Sequence, residues 1–134
     1  MDIKKNLLPC LVTFSIICSA QEKESREISM PEGIEFIQDI NYAGTNNPVQ
    51  VLDIVIPENR SSEKLPAIVY IHGGGWLGGD KGNSIKTLKP FIKDGDYIGI
   101  AINYRLSDEA KWPAQIHDCK AAIRWIKGNA EKYG

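Results

Sequence analysis

A basic excess is the first thing missing from this sequence: 16 Lys and Arg stand against 17 Asp and Glu, for a net charge of −1. Nucleic acids and anionic membrane surfaces are met by basic patches, so neither is expected as a partner. Cysteine is scarce as well, at three in 134 residues, and Cys10 and Cys18 sit close to the N-terminus. No group of His, Cys, Asp and Glu has the spacing of a metal site, so no metal and no other cofactor is expected. The longest mostly apolar run, Leu7 to Cys18, is a dozen residues interrupted by Pro9. A spanning helix needs roughly 20, so no stable membrane span is expected. There is no internal repeat and no low-complexity tract.

What that N-terminal run does resemble is a secretory leader. Lys4 and Lys5 precede it, Cys18-Ser19-Ala20 supplies small residues, and polar Gln21-Glu22-Lys23-Glu24 follows. Residues 1–20 are therefore expected to be a signal peptide cleaved after Ala20, giving a secreted or periplasmic product. Lipoprotein anchoring at Cys18 is the weaker option, because Ile17 is large for the position before a lipidated cysteine. Cleavage leaves Cys119 alone, which excludes an intramolecular disulfide. Residues 21–32 read as a linker and 33–134 as the folded part.

Within that part, Ile34 to Tyr42 and Val49 to Ile56 read as strands, joined through the loop composition Gly44-Thr45-Asn46-Asn47-Pro48. The pair predicts a hairpin. Ala67 to Ile71 and Tyr97 to Asn103 are continuous apolar runs of the kind buried on both faces by helices. Between them lies a candidate helix at about Ile85 to Lys93, with Gly95 placed as its C-terminal cap. Strand, helix, strand predicts a parallel βαβ crossover. A last helix opens near Pro113, with Ile116, Cys119, Ile123, Ile126 and Ala130 forming its expected apolar stripe and Gly134 at its end.

The chemistry is concentrated where the third strand runs into His72-Gly73-Gly74-Gly75-Trp76. Glycines without Cβ let backbone N–H groups approach a bound anion closely. The string Gly73 to Gly78 also fits G-x-G-x-x-G, a dinucleotide fingerprint. Against that reading, Gly79-Asp80-Lys81-Gly82-Asn83 prolongs the loop where a helix should open. Asn103-Tyr104-Arg105 also stands where an acidic residue belongs. A phosphate-binding P-loop fails at Lys81, which lies between Asp80 and Gly82. His-Gly-Gly-Gly after a buried strand instead has the form of an oxyanion-hole loop in lipases and esterases.

Further strings in the same order carry the resemblance: Tyr42-Ala43, Leu52-Asp53-Ile54, Gly79-Asp80-Lys81, Asn103-Tyr104-Arg105-Leu106, Pro113-Ala114 through Asp118, Ala121-Ala122 and Arg124-Trp125. Together they make the chain resemble the α/β-hydrolase superfamily, in its esterase and lipase group with feruloyl esterase-like and acetyl-xylan esterase-like enzymes. The resemblance implies an α/β fold in which an antiparallel hairpin leads into a parallel sheet with flanking helices, present as its N-terminal portion. It also implies Gly74 and Gly75 as oxyanion-hole donors, His72 and Gly73 as loop support, and Trp76 as a wall of the substrate pocket. The implied substrate is a small-molecule or polysaccharide-linked ester. His117, beside Asp118 on a helix, reads as a solvated surface group, since adjacent helical residues do not face one another. Arg105 and Asp118 are expected to form an ion pair between loop and helix.

One part of that chemistry has no residue here. None of the eight serines stands in G-x-S-x-G, and the acidic and His partners of such a serine follow it in chain order. No catalytic Ser-Asp-His residue is therefore expected in this chain, which alone should be inactive. The expectation is the N-terminal part of a longer carboxylic-ester hydrolase. Two alternatives stay open: a non-catalytic binding or interaction protein derived from the fold, and a serine peptidase of the same superfamily.

Overall fold

The computed structural model describes residues 32–134. The expected leader over 1–20 and nearly all of the linker lie outside the described residues. Four strands are present: β1 (Ile34–Asn41), β2 (Val51–Pro57), β3 (Ala67–Ile71) and β4 (Ile98–Ile102). They form one sheet in the order β1-β2-β4-β3. β1 and β2 pair antiparallel, as the hairpin reading expects, and β2 pairs antiparallel with β4. β3 and β4 pair in parallel through α1 (Ser84–Ile92), the expected crossover. α2 (Ala114–Gly128) and the short α3 (Ala130–Tyr133) complete the described chain.

Strand alternation decides which helix covers which face. Leu52, Ile54 and Ile56 of β2 and Ile98, Ile100 and Ile102 of β4 share one face and cluster with Ala122 of α2, with Trp125, Ile126 and Tyr133 packed alongside. The opposite face carries Gly99, where an added Cβ would lie 3.2 Å from Leu88 and 3.3 Å from Ile92. Glycine there lets α1 settle directly on the sheet. β2 is buried along its whole length.

Two expectations are corrected. β3 is not buried on both faces: Ala67 and Ile71 are exposed and the rest half-buried, because it is an edge strand with β4 as its single neighbour in the sheet. The stripe of α2 is also rotated. Its buried residues are Gln115, Asp118 and Ala122, whereas Ile116 is 36% exposed. Gln115 donates to the Ala110 carbonyl, and Asp118 takes hydrogen bonds from Gln50 and Arg105. Hydrogen-bonded polar side chains thus occupy the inward face, which a count of apolar residues cannot reveal.

Candidate functional site

Because β3 and β4 are parallel with Ile71 opposite Ile102, the segments that follow them emerge side by side. These are His72 to Gly79 and Asn103 to Arg105, at the carboxyl ends of parallel strands, where open α/β sheets hold their ligands. Residue by residue, the two segments are tied together. Tyr104 donates from its hydroxyl to the His72 carbonyl at 2.8 Å, and its ring stacks on the His72 imidazole with centroids 4.3 Å apart. His72 is 5% exposed, and its Nδ1–H donates to the Gly73 carbonyl at 2.9 Å. The polar contacts of His72 are thus made within the two loop segments themselves.

The glycine run then makes a left-handed turn. Leu77 N–H donates to the Gly74 carbonyl at 3.1 Å, and the two residues between them, Gly75 and Trp76, have φ of 60° and 63°. Glycine adopts such φ freely, while a tryptophan there is strained. Trp76 is held in place by Ser107, whose N–H donates to its carbonyl at 2.8 Å. Gly74, at φ 120°, has no room for a side chain, since a Cβ would fall 2.0 Å from the Gly78 carbonyl oxygen. At Gly79 a Cβ would fall 2.3 Å from His72 Nδ1. Among the described residues, no backbone carbonyl accepts from the N–H of Gly74 or Gly75.

Beside the turn lies a cavity of about 260 Å³. His72, Gly73, Gly75 and Trp76 line it together with Ile71, Tyr104, Trp112, Gln115, Ile116 and Cys119; Gly74 does not. The ring of Trp112 leans on that of Trp76, centroids 5.0 Å apart. His72 and Tyr104 spend their polar atoms on the loop itself, and burial pushes the Cys119 thiol up from its ordinary value. Among the described residues no serine lines it, and His117 lies away from it, exposed on α2. Among the described residues no cluster of His, Cys, Asp and Glu could hold a metal.

A polar frame behind the loop fixes its far end. Lys81 is 8% exposed, and its ammonium lies 2.7 Å from Asp39 and 2.8 Å from Asp53. Burial alone would lower its pKa, but the hydrogen bonds with the two carboxylates outweigh burial and raise it. Asp39 reaches this position from a bulge in β1, between Ile37 and Ile40, with φ 53°. Next to Lys81, Asp80 accepts from the Gly82 N–H and from Asn103 Nδ2. Burial raises Asp80, and these bonds more than reverse it. Arg105 grips Asp118 with two hydrogen bonds of 2.8 and 2.7 Å, the expected ion pair. Sequence reasoning did not assign the Lys81 cluster or the place of Trp112. A signal for the first was present, since Asp53 interrupts an apolar strand and a buried carboxylate requires a partner.

The BD-FAE family model matches residues 52–134. Carboxylesterase NlhH of Mycobacterium tuberculosis is 36% identical over 97 residues, covering 71% of this chain and 29% of that enzyme. Among solved structures, esterase B from Lactobacillus rhamnosis superposes with a TM-score of 0.71 at 28% identity, over 78% of this chain and 33% of that one. A truncated form of a carbohydrate esterase from gut microbiota gives a TM-score of 0.66 at 37% identity, over 74% and 35%. This chain thus spans about a third of the length of each of these esterases. With the matched family model covering most of the described sheet and both flanking helices, the chain belongs to the BD-FAE family of α/β-hydrolases and carries the N-terminal part of that fold.

Proposed function

We propose that this chain supplies the oxyanion-binding loop of a serine-type carboxylic-ester hydrolase, with the nucleophile and the rest of the triad absent from its own residues. The observation that carries the reading is the left-handed turn at the carboxyl end of β3, whose Gly74 and Gly75 N–H groups meet no backbone carbonyl among the described residues. In ester hydrolysis a serine adds to the carbonyl carbon and the carbonyl oxygen becomes an anion. Two amides fixed before the reaction stabilise that charge without reorganising, and one such donor is worth roughly 2.7–4 kcal/mol of barrier. His72 and Gly73 hold the turn, and Trp76 walls the substrate cavity.

Ester rather than peptide hydrolysis is supported by the names of the similar enzymes, a carboxylesterase and two esterases. The 37%-identical carbohydrate esterase supports an ester carried on a sugar as the substrate class. The three-part leader over 1–20 supports export.

Turnover of p-nitrophenyl acetate by the 134-residue protein is the first experiment. The proposal expects none above the buffer rate. Turnover that disappears when one of its own serines is replaced would show that the nucleophile had been overlooked and the proposal misassigned.

A further inference from the structure

Asn103 follows β4 and is no part of the glycine turn, yet each of its polar atoms is engaged. Its N–H donates to the Val51 carbonyl at 3.0 Å, and its carbonyl accepts from the Tyr42 hydroxyl at 2.8 Å. The backbone is thereby fixed to β2 and to the residue after β1. The side chain grips a different segment: Oδ1 accepts from the Lys81 N–H at 2.7 Å, and Nδ2 donates to Asp80 Oδ2 at 3.1 Å. The other Asp80 oxygen accepts from the Gly82 N–H. A carboxamide supplies a donor and an acceptor side by side, whereas a carboxylate at position 103 would face Asp80 with a second negative charge.

Asp80 comes directly after the return of the glycine loop, and that return is pressed against the loop's beginning. A Cβ on Gly79 would fall 2.3 Å from His72 Nδ1 and 2.4 Å from the Gly73 carbonyl oxygen, and one on Gly74 would fall 2.0 Å from the Gly78 carbonyl oxygen. Contacts so close transmit a displacement instead of absorbing it. Tyr104, next in the chain after Asn103, holds the His72 carbonyl. Consecutive residues after β4 therefore hold the two ends of the loop.

We infer that Asn103 is a positioning residue for the glycine turn: by holding Asp80 and Lys81 it keeps the return of the loop against His72 to Gly74, and so sets where the Gly74 and Gly75 N–H groups point. The inference rests on the reading of that turn as the receptor of an oxyanion. Donors to a developing charge must be held within roughly 0.5 Å of the productive geometry. Three successive glycines do not supply that rigidity themselves.

Exchanging the two side chains tests this in the labelled 134-residue protein. Asn103→Asp sets two carboxylates face to face, and Asp80→Asn sets two amide groups face to face. Each should raise the dissociation constant of butylphosphonate, read at the Gly74 and Gly75 amides, about tenfold, as loss of a charge-assisted hydrogen bond implies. Each should also speed hydrogen exchange of the Leu77 N–H, which closes the turn on the Gly74 carbonyl. Combining Asp80→Asn with Asn103→Asp restores the parent's charge and the same hydrogen bonds. The amide at 80 donates to the carboxylate at 103, which still accepts from Lys81, while the amide oxygen at 80 still accepts from Gly82. Both readouts of the double variant should return to within about twofold of the parent. An influence of charge alone would move the single variants' affinities in opposite directions, and that result would overturn the inference. Unchanged Leu77 exchange in both single variants, or a double variant no better than either, would overturn it too. Should a single variant fail to fold, the double variant decides: parent-like values support the pair and anything else removes it. If Gly74 and Gly75 of the parent ignore butylphosphonate while Leu77 exchange follows the expected pattern, the oxyanion reading falls and Asn103 still holds the turn.

Discussion

Replacing Lys81 by Met tests the frame behind the glycine loop, because it keeps the length and apolar stem of the side chain and removes only the ammonium. Asp39, with a side chain 72% exposed, can turn to water, but the Asp53 side chain is 3% exposed and cannot. Leaving one buried charge without its partner costs about 3–5 kcal/mol, a large share of the roughly 5–15 kcal/mol by which domains are stable. With a urea dependence of roughly 1–3 kcal/mol per molar, the unfolding midpoint should fall by about 2 M. Circular dichroism in urea reads this directly. Adding Asp53→Asn to the same chain removes the stranded charge, leaves an oxygen to accept from the Asp39 N–H, and should recover most of the loss. Lys64→Met, whose partner Glu131 is 4.0 Å away on the open surface, should shift the midpoint hardly at all. The raised pKa of Lys81 adds a sign. Its stabilisation is complete below the ordinary lysine value and is lost as pH rises through the higher folded value, so the gap between variant and parent should close only above about pH 10. A Lys81→Met midpoint within about 0.3 M of the parent, or no recovery with Asp53→Asn, would refute the frame.

Further outcomes follow from the same geometry. Gly74→Ala should unfold or rebuild the turn, since its Cβ would fall 2.0 Å from the Gly78 carbonyl. Gly75→Ala, with open space at φ 60°, should cost only about 1–2 kcal/mol and keep the turn, as thermal unfolding of the two variants will compare. Asp118 is held below its ordinary pKa: burial pushes it up, but hydrogen bonds from Arg105 and Gln50 prevail. Its contribution is therefore present above the ordinary aspartate value and lost as pH falls through the lower folded value. The parent should lose stability on acidification below about pH 4, and Asp118→Asn should lose less over that span.

The hairpin, the crossover and the last helix were legible because each is written in local pattern: alternation, a buried run, a capping glycine. The Arg105–Asp118 pair was legible from chemistry at matched motif positions. The Lys81 cluster was not, because Asp39 is delivered by a bulge in β1 that breaks the alternation without any sequence mark such as glycine. Burial of β3 was overestimated, since an apolar run looks the same whether the strand lies at the centre or at the edge of a sheet. Trp112 stayed unassigned because its partner is 36 residues earlier in sequence and meets it only once β3 and β4 lie parallel. The rotated face of α2 follows from buried Gln115, held by the nearby Ala110 carbonyl, and from Asp118, whose partners Gln50 and Arg105 come from other segments.

The central claim is that the turn from His72 to Trp76 receives an oxyanion. Butylphosphonate, a tetrahedral anion, stands in for the charged intermediate, and its titration into labelled protein can be followed at every backbone amide. The account predicts that the Gly74 and Gly75 resonances move together, farther than any others, with one dissociation constant. Stationary Gly74 and Gly75 signals, or largest shifts at the lysine-bearing helix α1, would contradict it.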